Sequence, residues 1–374
     1  KAIRRQRQMC IRDRIKFMDI EKLMSESAAK KPASRRASNV TANADFSKLI
    51  RMGFNEHPYG MSPKALEIMK EETEKSNFYG DFGKGALKKA IADFYGLDFA
   101  NVAASAGSSP LIETIGCAFL NPGDEVLMCP TFAAFIDMAQ IRQAVPVVVP
   151  LNEDKTYDLD GLYKAITKRT KIIVVCNPNN PTGTYVGREK VIEFIKKVPD
   201  DVIVLMDEAY LEFATAEDCQ SMYPLIKELP DKPIIVLKTF SKYYGMAGVR
   251  VGYALAAPEL IAAIEKCPSA MISKAGQAGA IAALADQQYY QEVKKKLVEG
   301  MTYLETEMEK LGCKVYHSQT NFILFDPHID AQLVRAKLME AGIMISAPGI
   351  CRVSVSTMEN NRLFIETLKN IMGK

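Results

Sequence analysis

Residues 171–176 read Lys-Ile-Ile-Val-Val-Cys, a short run that is apolar at five of its six positions. Comparable runs lie at 202–206 and 234–238. A strand that faces water on one side alternates apolar and polar residues, whereas a strand covered on both faces is apolar throughout. Because these runs alternate with helical segments, the sequence predicts an α/β fold in which a mostly parallel sheet lies between layers of helices.

The same alternation extends from about residue 102 to residue 256. Apolar and β-branched runs predict strands at 125–129, 146–151, 171–176, 202–206, 234–238 and 250–256. Helical periodicity predicts helices at 109–120, 131–143, 188–198 and 258–267.

A long amphipathic helix is predicted after this sheet. Apolar residues recur at steps of three and four from Tyr290 to Leu311, and Gly312 ends the pattern. The remaining chain predicts strand 321–325, helix 330–341, strand 351–356 and helix 358–372.

These elements predict the domain organisation. A large domain spans 54–285, and residues 286–374 hold the connecting helix and a small α/β C-terminal domain. Residues 1–17 are rich in arginine without any period, and we interpret them as a non-native or disordered tail; the alternatives are a basic arm for nucleic acid and a transit peptide. Residues 18–53, with many small polar side chains, are predicted to form an N-terminal arm.

The composition is that of an ordinary globular protein, with 374 residues, 48% hydrophobic and 25% charged, and a net charge of +3. This charge gives no whole-molecule attraction to nucleic acid or membranes. No run approaches the ~18 apolar residues of a membrane span, and no apolar signal segment follows the basic N-terminus. We expect a cytoplasmic protein without nucleic-acid or membrane partners.

Cysteines and histidines leave the chemistry to other residue types. The eight cysteines lie far apart without a C-x-x-C pair, so we expect reduced core thiols. The three histidines, His57, His317 and His328, are scattered singly and offer little to a metal site or a Ser-His-Asp triad. We therefore predict no metal, and we expect a lysine or a carboxylate to carry the proton chemistry.

Lys242 follows the carboxyl end of a buried strand, where open α/β sheets place their ligands. Thr239 and Ser241 precede it, and Arg250 follows eight residues later. Hydroxyls and one guanidinium together suit a phosphate group. A lysine beside a bound phosphate can be an amine nucleophile toward an aldehyde, whereas Lys242 taken alone would be interpreted as a surface residue in a turn.

Asp207 ends the neighbouring strand candidate, and Tyr210 follows three residues later. A carboxylate against a pyridine nitrogen keeps that nitrogen protonated, so that the ring can accept electrons. A phenol can hydrogen-bond the 3′ oxygen of the same ring. The alternative is that Asp207 and Glu208 form a metal-binding or solvated pair at the strand end.

Three further turns carry candidate site residues, and those at 177–183 and at Phe132 follow predicted strands. The loop 177–183 (NPNNPTG) is rigid and can hold an asparagine amide toward a ligand oxygen. Residues 107–109 (Gly-Ser-Ser) open a helix whose N-terminus could bind a phosphate, or they form an N-cap alone. Phe132 could stack on a pyridine ring, although a core position is the commoner fate of such a residue.

The order and spacing of 177–183 (NPNNPTG), 207–210 (DEAY) and 239–242 (T-x-S-K), with an arginine eight residues beyond, resemble class I/II (fold type I) aminotransferases. The resemblance runs from about Phe54 to the C-terminus, and 54–60 (FNEHPYG) is similar to the opening of the histidinol-phosphate aminotransferase subgroup. The segments 79–81, 131–132, 320–322 and 351–357 fit the same subgroup.

The resemblance implies a large domain with a mostly parallel seven-stranded sheet, the cofactor pyridoxal 5′-phosphate and a homodimer with shared active sites. Lys242 would be the Schiff-base lysine and Asp207 the partner of the pyridinium nitrogen, while Asn180 and Tyr210 would hold the 3′ oxygen. The phosphate would be held by Ser108, Ser109, Thr239, Ser241 and Arg250, with Tyr79 from the neighbouring subunit.

The resemblance implies a ping-pong transfer from an amino donor to a 2-oxo acid, with 2-oxoglutarate as the expected acceptor and Lys242 as the general base. Arg352 would bind the carboxylate of the donor, and Asn55 and Tyr59 would complete the substrate site.

Three positions depart from the family pattern. His57 replaces asparagine and Phe132 stands where tyrosine is common. Ser346 replaces an arginine that helps bind the substrate phosphate in the subgroup. The donor therefore stays open between histidinol phosphate and an aromatic or other amino acid.

Two alternative functions are compatible with the same resemblance. A threonine-phosphate decarboxylase would use the same cofactor, because the sequence does not reveal which bond at Cα is broken. A regulator that senses pyridoxal phosphate and binds DNA would carry a helix-turn-helix domain first, and the segment before the first motif is too short and too polar for one.

Overall fold

The computed structural model describes residues 24–29, 48–347 and 349–374. The predicted tail at 1–17 and most of the predicted arm at 18–53 lie outside these residues. Helix α1 (Glu26–Ala29) belongs to an N-terminal unit, whereas residues 45–374 form one compact unit. The predicted boundary between a large and a small domain at 285 stays a prediction. In the described part of the chain, no helix combines the length and apolarity needed to cross a membrane.

A seven-stranded sheet forms the centre of the compact unit. Its strands are β2 (Val102–Ser105), β3 (Glu125–Met128), β4 (Val145–Val148), β5 (Thr170–Cys176), β6 (Ile203–Asp207), β7 (Ile234–Thr239) and β8 (Gly252–Ala256), after a short β1 (Ile50–Arg51). They lie in the order β2-β8-β7-β6-β5-β3-β4, and β8 is antiparallel to both neighbours while the other pairs are parallel. The predicted mostly parallel sheet is confirmed.

The central strands are apolar because both faces of the sheet are covered. Along β6, Ile203 and Leu205 belong to one hydrophobic core, whereas Val204 and Met206 belong to the other. Successive side chains of a strand point to opposite faces, so each residue of β6 fills one of the two cores. Polar side chains can then lie only where the strand ends.

Helices lie between the strands of this sheet in the sequence, and further helices precede and follow them. They are α2 (Pro63–Thr73), α3 (Gly85–Tyr95), α4 (Ser108–Phe119), α5 (Ala134–Ile141), α6 (Leu159–Lys164), α7 (Arg188–Lys197), α8 (Leu225–Glu228), α9 (Pro258–Glu265) and α10 (Lys274–Ala285). Helices α2, α3, α6, α8 and α10 have no counterpart among the predicted ones. In α10 the sequence KAGQAGAIAALA is almost uniformly small and apolar, so it shows no polar face that periodicity could detect.

The C-terminal part begins with the predicted long helix, α11 (Gln287–Lys310). It continues with β9 (Lys314–Tyr316), β10 (Phe322–Asp326), α12 (Ala331–Glu340), β11 (Ile343–Met344), β12 (Cys351–Ser354) and α13 (Met358–Ile371). Strands β9, β10 and β12 form an antiparallel sheet with β10 in the middle. The short β1 pairs in parallel with β11, which ties residues 50–51 to the C-terminal part.

Some predicted bounds differ from the observed ones for local reasons. The strand predicted at 250–256 begins at Gly252, because Arg250 has a left-handed φ of 64° that no strand contains. The strand predicted at 146–151 begins one residue earlier, at Val145, and ends at Val148; one further backbone hydrogen bond follows, from Val149 N–H to the carbonyl of Met128 (2.9 Å). The helix predicted from 131 starts at Ala134, since residues 131–133 form the preceding turn.

A buried ion-pair network lies beneath the carboxyl edge of the large sheet. Lys238 of β7 is 3% exposed, and its Nζ lies 2.8 Å from Glu212 and 3.2 Å from Glu208. Although burial lowers the pKa of Lys238, the carboxylates of Glu212 and Glu208 outweigh it and hold the pKa well above its usual range. Glu208 also accepts hydrogen bonds from the Ser221 hydroxyl and from the backbone N–H of Met222 (2.7 Å).

The substitution Lys238→Met is expected to lower the free energy of unfolding by about 3–5 kcal/mol, because it leaves buried carboxylates without their cation. Urea denaturation measures this change. The matched control is Lys89→Met, which removes a lysine from an exposed pair with Asp93 at 2.8 Å; its expected cost is under ~1 kcal/mol. Equal losses for the two variants would contradict the assignment.

Candidate active site

A cavity of about 530 Å³ lies at the carboxyl edge of the large sheet. Its lining includes most of the predicted site residues, namely Asn55, Ser108, Ser109, Phe132, Asn180, Asp207, Tyr210, Thr239, Ser241, Lys242, Arg250 and Arg352. These residues come from segments far apart in the sequence and meet because parallel strands end at the same edge.

One end of the cavity suits a phosphate group. Helix α4 begins there at Ser108, so its first backbone N–H groups have no partners within the helix. Arg250 adds a guanidinium, whose Nη1 donates to Ser241 Oγ (3.1 Å) and to the carbonyl of Ala247 (2.9 Å). Gly107 has a φ of 102°, and a Cβ at this position would overlap the guanidinium of Arg250. The glycine therefore lets the positive charge approach the helix N-terminus.

Lys242 follows β7 and points into the cavity. Its Nζ donates a hydrogen bond to the carbonyl of Phe54 (3.0 Å) and lies 5.6 Å from the centre of the Tyr210 ring. Burial, and then the positive charge of Arg352, lower the pKa of Lys242 to about 8. About a tenth of this amine is therefore neutral at pH 7, far more than for a lysine of ordinary pKa, and the neutral form is the one that a nucleophile or a general base requires.

Asp207 ends β6, directly beside Cys176 of β5 in the strand register. Its side chain accepts a hydrogen bond from the N–H of Ala209 (3.2 Å) and a weak one from the Cys176 thiol (3.7 Å). Burial raises the pKa of Asp207 to about 6. A cationic group placed against this carboxylate would be stabilised strongly, because the low-dielectric surroundings screen the attraction poorly.

Tyr210 is held by a short chain of hydrogen bonds. Asn55 Nδ2 donates to the Tyr210 hydroxyl (3.0 Å), and Ser354 Oγ donates to Asn55 Oδ1 (3.3 Å). Because the tyrosine oxygen accepts from Asn55, its own hydrogen is available to an acceptor in the cavity. Burial raises the pKa of Tyr210 well above its usual range, so the phenol stays protonated. Asn55, predicted to contact substrate, thus also orients Tyr210.

Arg352 projects from the small antiparallel sheet toward the large one. Its Nη1 donates to Asn180 Oδ1 (2.6 Å) and its Nη2 to the carbonyl of Gly53 (3.1 Å). Its Nε is buried and has no hydrogen-bond partner among the described residues. A buried donor of this kind is costly unless a ligand satisfies it, so the geometry suits a bound anion. The hydrogen bond from Arg352 Nη1 to Asn180 Oδ1 also orients the Asn180 amide.

Two predicted site residues do not line the cavity. Tyr59 faces α11, where its carbonyl accepts from the Tyr289 hydroxyl (2.9 Å). Tyr79 is 80% exposed, with its ring centre 5.4 Å from that of Phe82. Tyr79 is predicted to act in the active site of a neighbouring subunit, which a single chain does not test. The assignments of Tyr59 and Tyr79 both stay predictions.

Two of the residues that depart from the family pattern, His57 and Ser346, make hydrogen bonds that fix their positions. His57 is buried, and burial lowers its pKa to about 4, so the neutral ring donates from Nε2 to the carbonyl of Tyr243 (3.1 Å). Ser346 lies opposite Arg352 in an isolated bridge with backbone hydrogen bonds of 3.1 Å and 2.7 Å. The position without the family's arginine is therefore next to Arg352, the arginine predicted to bind the substrate.

Besides Ala209 and Ala247, three residues with larger side chains line the cavity without having been predicted to do so. They are Arg51, Phe54 and Glu56, which lie on or just after β1. Phe54 acts through its backbone carbonyl, which no side-chain pattern reveals. Arg51 precedes the 54–60 motif and Glu56 lies within it, and their charges were the one signal in the sequence.

The residues present fit pyridoxal 5′-phosphate at each of its polar groups. The N-terminus of α4 and Arg250 suit the phosphate, and Asp207 suits the pyridinium nitrogen. Tyr210 and the Asn180 amide suit the ring oxygen, and Lys242 suits the aldehyde carbon. The buried Arg352 Nε leaves a donor for an anionic substrate. Together with the seven-stranded sheet, this arrangement defines a fold type I transferase.

Comparison with known proteins places the chain more narrowly. Residues 47–368 match the family described as aminotransferase class I and II, and the chain belongs to this family. It is 36% identical over 341 residues to the histidinol-phosphate aminotransferase of Bacillus licheniformis, which covers 89% of this chain and 94% of that enzyme. The corresponding enzyme of Brevibacillus brevis is 35% identical over 342 residues, with 89% and 93% covered.

Solved structures agree with this placement. The histidinol-phosphate aminotransferase of Sinorhizobium meliloti, solved in complex with pyridoxal 5′-phosphate, superposes with a TM-score of 0.82 at 28% identity. The match covers 91% of this chain and 98% of that chain. The expected fold class and enzyme class are thereby confirmed.

The lowered pKa of Lys242 predicts a pH dependence. Reaction of the apoprotein with pyridoxal phosphate, trapped by borohydride and located by mass spectrometry, should rise with a midpoint near pH 8. Arg352→Gln should move this midpoint upward, because removing a neighbouring positive charge favours the protonated amine. Lys242→Arg should abolish labelling at this position. A midpoint near ~10.4, the ordinary value for lysine, would contradict the assigned environment.

Proposed function

We propose that this protein binds pyridoxal 5′-phosphate on Lys242 and transfers the amino group of histidinol phosphate to 2-oxoglutarate. The observation that carries the proposal is the convergence of Lys242, Asp207, Tyr210 and Arg250 on one cavity. The names of the similar enzymes supply the donor. When bound, the cofactor supplies an aldehyde that takes up the amino group and a ring that accepts electrons from Cα.

The protein's own residues perform the proton transfers and the orientation. The Lys242 amine, whose pKa is about 8, takes the proton from the substrate Cα as general base. Asp207 keeps the ring nitrogen protonated through its buried carboxylate. Tyr210 donates its hydroxyl hydrogen to the ring oxygen, while Asn55 holds the phenol in place.

Arg352 binds the carboxylate of the acceptor in this proposal. Its unsatisfied Nε and one of its Nη groups form the planar fork that matches a carboxylate. Each anion that binds there competes with Asn180 Oδ1 for the same guanidinium.

An aromatic amino acid is the second candidate donor. The observation in its favour is Ser346, which leaves the small domain without the guanidinium of the family pattern. An aromatic donor carries only a carboxylate, so Arg352 would suffice to bind it.

The donor is tested by absorbance spectroscopy on the purified protein loaded with pyridoxal phosphate. Histidinol phosphate is expected to remove the visible band of the bound cofactor within one turnover, and 2-oxoglutarate to restore it. Tyrosine, phenylalanine, glutamate and phosphothreonine are compared as separate additions. Lys242→Ala should abolish the response.

A visible band that only tyrosine or phenylalanine removes would replace histidinol phosphate by the second candidate. Release of CO₂ from phosphothreonine would replace transfer by decarboxylation. A folded protein that shows no visible band with excess cofactor would refute the proposed cofactor chemistry.

We also propose a cytoplasmic homodimer in which Tyr79 completes the partner's phosphate site. The support is an exposed aromatic patch formed by Phe78, Tyr79 and Phe82, with exposures of 68%, 80% and 63%. Exposed aromatic clusters of this kind are typical of interaction surfaces. The cysteines of the described residues are free thiols, which supports a reducing compartment.

Sedimentation velocity is expected to give twice the chain mass for the native protein, and Phe82→Asp is expected to shift it toward monomer, because a charge would enter the contact. The affinity for pyridoxal phosphate should fall in the same variant. The control Leu363→Asp replaces another apolar residue, 43% exposed, and should change neither quantity. A native monomer with full cofactor affinity would exclude the shared site.

A further inference from the structure

The cavity contains a third guanidinium besides those of Arg250 and Arg352. Arg51, the last residue of β1, lines the cavity together with Lys242. Its side chain is 42% exposed and lies at the outer rim, where its Cζ is 5.6 Å from the centre of the Phe54 ring. The charge of Arg51 is therefore accessible both to solvent and to a ligand in the cavity.

Backbone pairing places Arg51 near Arg352. Strand β1 runs beside β11, with Arg51 opposite Met344. Ser346, two residues beyond Met344, pairs with Arg352. On the other side, Gly53, two residues beyond Arg51, accepts a hydrogen bond from Arg352 Nη2 (3.1 Å). Both connections bring Arg51 to the end of the cavity that Arg352 occupies.

The position of Arg51 is fixed by an ion pair. Its Nε and Nη2 donate to the two carboxylate oxygens of Glu56, at 2.9 Å and 2.7 Å. Glu56 lines the same cavity and is 29% exposed. Because the pair is partly exposed, solvent screens it and its net stabilisation is small. An anion of higher charge can therefore compete with Glu56 for the guanidinium.

The charge of the substrate decides whether one guanidinium is enough. A carboxylate carries one negative charge, which Arg352 alone can balance. A phosphate monoester carries about 1.5 to 2 negative charges and three acceptor oxygens near neutral pH. A dianion at this end of the cavity needs a second cation, and Ser346 does not supply one.

We propose that Arg51 is a specificity-determining residue that binds the phosphate of a phosphorylated amino donor beside Arg352. This inference rests on the proposed function, since it names the part of the same site that recognises the donor. Arg51 then distinguishes phosphorylated donors from donors with a carboxylate alone. The Arg51 guanidinium reaches the cavity from β1 and supplies the positive charge that Ser346 does not.

The kinetic test compares histidinol phosphate with phenylalanine and with unphosphorylated histidinol. Arg51→Gln is expected to lower kcat/KM for histidinol phosphate by about tenfold or more, the usual effect of losing a charge-assisted hydrogen bond. For the two unphosphorylated compounds the change should stay below about twofold. Arg51→Lys should recover part of the loss, because it keeps the charge without the fork.

Two further variants separate the guanidinium from its ion pair and from overall charge. Glu56→Gln removes the ion pair but keeps the guanidinium, and it should preserve the preference for the phosphorylated donor. Arg335→Gln removes an exposed arginine of α12 outside the cavity lining and should leave all rates unchanged. Loss of the preference in Glu56→Gln as large as in Arg51→Gln would overturn the assignment to Arg51.

A binding measurement decides the inference independently of turnover. Isothermal titration of inorganic phosphate into the protein loaded with pyridoxal phosphate should show at least tenfold weaker binding for Arg51→Gln, while acetate binding changes by less than about twofold. Equal weakening of both anions would overturn the inference. If the native protein converts no donor, the proposed function fails, whereas the two titrations still decide whether Arg51 selects phosphate.

Discussion

The burial of β5, β6 and β7 on both faces is the constraint on which the rest of the structure depends. A polar side chain inside such a strand loses its hydrogen bonds to water unless buried partners replace them, as Glu208 and Glu212 do for Lys238. Polar groups that face a ligand therefore lie at the strand ends. Asp207 and Lys242 follow this rule directly, since each comes where a buried strand stops. Because the strands are parallel, their ends coincide in space and the chemistry is concentrated at one edge.

A second set of contacts closes the cavity from the C-terminal side. The segment 52–55 lies between the two sheets, and hydrogen bonds from Ser354 and Asn321 hold its carbonyls at Met52 and Asn55. The same segment presents the Phe54 carbonyl to Lys242 and the Gly53 carbonyl to Arg352. A few residues of irregular backbone thus position groups that belong to both parts of the compact unit.

The sequence predicts the large sheet and its catalytic edge well because each depends on local patterns. Apolar runs identify β5 to β7, and the polar residues that follow them, such as Asp207 and Lys242, need no long-range information. Strand β2 was missed, since Val-Ala-Ala-Ser has no run of β-branched residues. Arg51 was missed for another reason, because its place depends on the pairing of two-residue strands almost 300 positions apart, which has no periodic signature.

The hydrogen bond between Arg352 and Asn180 joins a residue of the small sheet to the loop after β5. In the proposed function, Arg352 binds the substrate and the Asn180 amide holds the ring oxygen of the cofactor. A single bond therefore makes the occupancy of one subsite part of the energetics of the other. Thermodynamic linkage makes this coupling reciprocal. If an anion displaces Asn180 from the guanidinium and thereby changes the affinity for the ligand that the amide holds, that ligand changes the affinity for the anion by the same factor.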